Sequence, residues 1–197
     1  MKLLGVLLAL AIGGNALAMK DPKVDPTRMQ IIWDAFEDRV ATQTDVWFED
    51  GEYPRVVQIL RIMTALSPSH YETVTNLGWM LENVEKWDEA LAVYVKFRKD
   101  NAGHPEAYYP EANFYFMRKL YSKVPPLLEP SLKMKLKPHA NSYRILGLSY
   151  ERLGFLADAK RVFKLIIERD PNDGTAKANL NRVEKKIQGL QKPVNMV

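Results

Sequence analysis

The sequence predicts an all-α chain built from repeated helix pairs, and three observations carry that prediction. The stretch Ala140–Asp173 reads as two short amphipathic helices. Tyr143, Leu146, Gly147 and Tyr150 mark the first, Ala159, Phe163 and Ile166 the second, and Pro171 closes the unit. Tyr53, Trp87 and Tyr121 stand 34 residues apart, each just after a turn between two helical patterns. A period of that length belongs to a solenoid, in which each unit buries its apolar face only against its neighbours.

At 197 residues, 47% apolar and 26% charged, the chain is sized and composed as one soluble globular domain. Residues 1–18 stand apart from it. Lys2, the apolar run Leu3 to Ile12 and the small-x-small site Ala16-Leu17-Ala18 predict a secretory signal peptide of compact bacterial type, cleaved after Ala18. The run is too short to span a membrane, which takes about 20 apolar residues. Cysteine is absent, which excludes a lipoprotein anchor at the cleavage point, disulfides and thiolate metal sites. The expected location is therefore periplasmic or secreted.

Residues 19–36 form a lead-in and helix. Pro22 and Pro26 loosen the start, and Asp25-Pro26 suits an N-cap and first helical position. Met29, Ile32, Trp33, Phe36, Val40 and Trp47 then recur near a 3.6-residue period. One long helix fits, as does a short helix followed by a repeat helix, with Ala41-Thr42-Gln43-Thr44 the weak point between them. The register sets repeats at 37–70, 71–104, 105–139 and 140–173. Gly51 and Gly154 hold the tight-turn position, where positive φ is free of Cβ strain.

In the second repeat Leu77-Gly78, Trp87, Ala90, Tyr94 and Phe97 repeat the pattern, with Gly78 and Ala90 where the paired helices cross closely. Thr44 and Val56 fill those places in the first repeat, so its packing is expected to be looser. The third keeps Tyr108, Ala112, Tyr115, Val124 and Leu128 but carries Pro110, Pro125, Pro126 and Pro130. Pro125 or Pro126 suits a helix start, whereas Pro130 predicts a kink or a shortened second helix. A capping helix follows at 174–189, with Ala178, Leu180, Val183 and Ile187 expected on its apolar side, and 190–197 reads as a flexible tail.

The order Leu-Gly, Tyr, Ala, aromatic and Pro, echoed at a step of 34 residues, resembles the tetratricopeptide repeat over about Glu37 to Gln188. The resemblance implies a right-handed superhelix of about four helix-turn-helix units with a C-terminal capping helix, in an exported bacterial member of the family. It also implies a concave groove, lined by the first helix of each repeat, that holds a peptide or partner protein. Carried over by position, the groove residues are Phe48 in the first repeat and Thr75, Trp79, Glu82 and Asn83 in the second. Tyr109, Asn113, Phe116 and Met117 follow in the third, and Arg144, Leu148 and Arg152 in the fourth, with Asp45, Glu49, Asn141 and Glu151 at further groove positions. Trp79, with Tyr109 and Phe116, is expected to make an aromatic floor. Some members grip a terminal carboxylate with Lys, Asn and Arg. Asn76 matches one such place, but Ala41, Asp45, Glu106 and Pro110 stand at others, which argues against that clamp.

No phosphate loop, nucleophile elbow, metalloprotease helix or calcium loop occurs in the sequence, so no catalytic, cofactor or metal residues are predicted. His70, His104 and His139 recur 34 and 35 residues apart, too far in space to share an ion and better read as polar residues opening each repeat. Glu49, Asp50 and Glu52 around Gly51 read as a solvated turn. Charge is uneven: residues 19–104 hold ten Lys/Arg against fifteen Asp/Glu, and residues 105–197 seventeen against nine. The basic end, with Lys177, Arg182, Lys185 and Lys186, suits an acidic partner or an anionic surface rather than nucleic acid, which an exported protein seldom meets. The expected function is a non-catalytic scaffold or adaptor binding a protein or peptide. A self-associating structural subunit of an envelope or secretion assembly is the alternative.

Overall fold

The computed structural model describes residues 26–191. The signal segment 1–18, the start of the lead-in with Asp25, and residues 192–197 of the tail lie outside the described residues. The chain divides into two compact units, residues 1–42 and 43–197. Helix α1 (Pro26–Glu49) is continuous through both, the long-helix alternative. The boundary falls inside the Ala41–Thr44 run, where the Thr42 hydroxyl donates to the Asp38 carbonyl one turn back. Within the first unit the Trp33 and Phe36 rings meet at a tilt with centroids 5.5 Å apart, and Met29, Ile31 and Ile32 are exposed.

In the second unit, the end of α1 leads into α2 (Tyr53–Leu66) with Trp47 packed on the α2–α3 core, α3 (Tyr71–Asn83) pairs with α4 (Trp87–Asp100), and α7 (Ala140–Arg152) with α8 (Leu156–Arg169), before α9 (Gly174–Gln191). Between α4 and α7 lie two interrupted helices. A 3-10 turn, Pro105–Tyr108, runs into α5 (Tyr109–Met117), and a second, Tyr121–Lys123, into α6 (Val124–Leu132). The physical cause is proline. Pro110 has no N–H for the Glu106 carbonyl, which takes the Tyr109 N–H instead, giving 3-10 geometry. Pro125 and Pro126 lie in the first turn of α6 and Pro130 inside it, and α6 is nine residues long where α2, α4 and α8 have fourteen. It is shortened, as Pro130 predicts.

Two of the pairs, α3 with α4 and α7 with α8, close on a glycine. A Cβ added at Gly147 would stand 2.8 Å from the Phe163 ring, and one at Gly78 would stand 2.2 Å from that of Tyr94. Phe163 is fully buried with Leu146, Val162 and Ala159, in a core that runs from α5 to α9. A second core joins Val56, Val57 and Leu60 of α2 to Leu77, Met80, Ala90 and Tyr94. The α2 core positions Val56, Val57, Leu60 and Met63 are 2–9% exposed against 0–2% for Ala159, Val162, Phe163 and Ile166, so the core is more open to solvent at the first repeat. In α9 the inward residues are Ala176, Leu180, Val183 and Ile187. Ala178 faces solvent, because the buried stripe follows a spacing of 4, 3 and 4 residues, which starts it at Ala176.

The left-handed turn position recurs more often than glycine does. Gly51 (φ 75°), Glu85 (φ 61°), Lys119 (φ 61°) and Gly154 (φ 82°) all adopt positive φ between the helices of a pair. A side chain in that conformation costs about 1–2 kcal/mol, partly offset by the extra unfolded-state freedom of glycine, about 0.5–1 kcal/mol. Glu85→Gly and Lys119→Gly are each expected to raise stability by about 0.5–1 kcal/mol, read as a higher urea midpoint at unchanged slope. A lower midpoint would show that Glu85 and Lys119 are held there by contacts stronger than the strain.

Candidate partner-binding groove

The first helices of successive pairs line one side of the second unit, and their side chains enclose a cavity of about 420 Å³. Thr75, Trp79, Glu82 and Asn83 of α3 line it, with Tyr109, Asn113 and Met117 of α5, so seven of the twelve residues expected in the groove meet there. Trp79 is 51% exposed, and its ring centroid lies 5.9 Å from that of Phe48. Leu77 and Gly78 on the opposite face are buried, which turns Trp79 outward on α3. Asn83 donates to the Trp79 carbonyl at 2.8 Å, and the Thr75 hydroxyl donates to that of Tyr71 at 2.9 Å, so both side chains are tied to their own helix.

Tyr71, Trp87 and Tyr94 line the same cavity and are not among the residues expected from position. Their signal was present in part: Trp87 marks the 34-residue step, and Tyr71 opens its repeat. The Glu82 carboxylate accepts from the Tyr94 hydroxyl at 2.9 Å and from Arg118 at 3.0 Å. Burial, followed by the Glu82 charge, pushes the Tyr94 hydroxyl far above the usual phenol range. The Arg118 guanidinium lies 4.4 Å from the Trp87 ring centroid and 3.6 Å from that of Phe114, so the cation is held between two rings.

The groove continues. A second cavity of about 360 Å³ shares Tyr71 and Tyr109 with the first and adds Glu106, His139 and Asn141. A third, about 320 Å³, shares His139 and adds Arg144. Arg144 donates to Asn141 at 2.8 Å and to Asp173 at 2.5 Å. Asp173 also accepts the Ala176 N–H at 2.9 Å, capping α9, and the Ala176 bond and then Arg144 hold its carboxyl below the usual range.

The remaining expected residues lie elsewhere. Phe116 packs against the core and meets Tyr121 at 5.6 Å, Leu148 packs on the same core, and Arg152 is exposed. Phe116 therefore does not join Trp79 in the aromatic floor. Glu151 is buried beneath α9, where Arg182 bonds it at 2.9 and 2.6 Å and Lys186 at 2.6 Å. Arg182 first, then Lys186, draw its pKa down to about 2. Two of the basic residues of α9 thus serve its own docking.

His70, His104 and His139 each occupy an N-cap, and the His104 and His139 rings accept the backbone N–H two residues on. On the other side of the unit a larger cleft, about 620 Å³, lies between α2 and α4 over Val74, Leu77 and Leu81. The charged groups on it are matched among themselves, Arg61 with Glu89 and Lys96 with Asp100. Among the described residues no group of His and carboxylates is placed to hold a metal, and no helix is long and apolar enough to cross a membrane.

No family model and no curated protein matches this chain. Its fold does match solved structures. A crystal structure of MamA superposes with a TM-score of 0.59 at 20% identity, over 75% of this chain and 85% of that one. A second crystal structure of MamA protein gives 0.59 at 19% identity, over 75% and 80%. A MamA MSR-1 structure gives 0.55 at 17%, over 76% and 85%. At these identities the likeness concerns the fold: the described residues form an all-α array of paired helices closed by α9, the fold of the MamA structures.

Proposed function

We propose that this chain is an exported, non-catalytic scaffold that binds a protein or peptide segment in the groove floored by Trp79. The observation that carries the reading is a half-exposed tryptophan lining a surface cavity, its ring against that of Phe48, with Tyr71, Tyr109 and Met117 lining the same cavity. Exposed indole and phenol rings in a concavity contribute most per residue to protein interfaces. Export rests on the first eighteen residues. The self-associating alternative draws on the opposite charge balance of the two halves, and salt-dependent light scattering separates it from a monomeric adaptor.

A crosslinked pull-down from the exporting cell tests the groove. Trp79→Ala is expected to weaken recovery of the partner by about 2 kcal/mol, roughly 30-fold, with little change in melting temperature because the ring is half in solvent. Ile62→Ala, at an exposed α2 site outside the groove, is expected to leave recovery unchanged. Equal recovery with wild type and Trp79→Ala would remove the groove from the function.

A further inference from the structure

The second cavity of the groove has a charge the protein does not match. Glu106 is half-buried between Tyr71 and Tyr109, and among the described residues it makes no ion pair. Its one hydrogen bond to the rest of the groove accepts the backbone N–H of His139, which ties the third repeat to the start of α7 and leaves the carboxylate's charge without a cation. The other buried carboxylates of the second unit are treated differently: Glu111 holds Arg98, Asp173 holds Arg144, and Glu151 holds Arg182 and Lys186. The surrounding hydroxyls register the same field. Burial and then Glu106 push both Tyr71 and Tyr109 upward, a medium that penalises anions.

We infer that the partner segment is basic, and that a lysine or arginine side chain of it seats at Glu106 between the rings of Tyr71 and Tyr109. The chemistry is a charge-assisted hydrogen bond to the carboxylate together with cation–π contact on the two phenol faces. A segment rather than a small organic cation fits, because the cavity shares Tyr71 and Tyr109 with the one at Trp79 and His139 with the one at Arg144, so neighbouring residues of a segment have recesses on either side. The apolar recess at Trp79 and Met117 takes neighbouring aliphatic side chains. The whole chain carries a net charge of +4, so a basic peptide is not drawn to it indiscriminately.

This rests on the groove reading above, and the test separates the two. The probes are a short fluorescein-labelled peptide alternating leucine with lysine, and its counterparts with norleucine or glutamate in place of lysine. Their binding to the chain lacking residues 1–18 is followed by anisotropy at low and moderate salt. The lysine peptide is expected to bind tightest, and Glu106→Gln, which keeps the acceptor for His139, to weaken it about tenfold while leaving the norleucine peptide unchanged. Tyr109→Leu is expected to act in the same direction, with circular dichroism reporting that each variant is folded. A tighter glutamate peptide, no preference among the three, or a lysine peptide indifferent to Glu106→Gln would overturn the basic partner. Where Trp79→Ala still weakens the preferred peptide in those cases, the groove stands and only the cation falls. Loss of the Trp79 effect with every peptide removes both.

Discussion

Phe163→Ala is expected to lower the stability of the repeat unit by about 3–5 kcal/mol, the cost of removing a fully buried aromatic ring together with the cavity it leaves. The ring is 0% exposed and lies across Gly147, with Leu146, Val162 and Leu128 buried around it. Its neighbours have no easy way to collapse into the space. Gly147 has no side chain to extend, and α7 and α8 are each fixed on their other faces by α6 and α9. Urea denaturation of the protein lacking its first eighteen residues measures the effect. Phe155, a 56% exposed ring in the preceding turn, is the control, and its alanine variant is expected to lose under about 1 kcal/mol. A loss for Phe163→Ala no larger than that would mean the core repacks freely.

Gly78→Ala is the mutation where adding one methyl group should do most harm. The new Cβ would stand 2.2 Å from Cε1 and Cζ of Tyr94 and 2.5 Å from its hydroxyl oxygen. The ring cannot step aside without loss, because its hydroxyl donates to Glu82 and its edge meets Phe114 at 6.1 Å. Overpacking of this kind costs about 1–3 kcal/mol, and the pinned ring puts Gly78→Ala at the upper end. Gly147→Ala, with 2.8 Å to Phe163, is expected to cost less. Shortening the obstacle tests the cause. In a Tyr94→Leu background the alanine at position 78 is expected to be nearly neutral, and an undiminished cost there would place the harm in the backbone of α3 instead.

Much of this architecture was legible because helix pairs of one length force one spacing. Tyr71, Pro105 and Ala140 open their repeats where the 34-residue register puts them, and Pro130 announces the short α6. What stayed hidden depends on contacts distant in sequence. Ala176 rather than Ala178 faces the core, because the stripe that packs on α8 runs Ala176, Leu180, Val183 and Ile187 and leaves Ala178 outside it. Glu151 sits at a groove position, yet α9 claims it, and only the fold brings Arg182 within 2.9 Å. Glu85 and Lys119 could have been found by stepping 34 residues from Gly51 and again from there, but neither residue type advertises positive φ. Phe116 and Trp79 both fall at groove positions by register, yet Phe116 packs against Tyr121 and the core, contacts that the sequence does not display.

Arg118 gives the groove a property that a list of lining residues misses. A single guanidinium bonds Glu82 on α3, lies against Trp87 at the start of α4 and covers Phe114 on α5. Floor, rim and far wall are thereby braced through one planar cation that cannot be deprotonated at any ordinary pH. For a segment bound as proposed, the surface is braced before it arrives. The ordering entropy of association then falls on the guest alone, and guests that arrive stiff gain most.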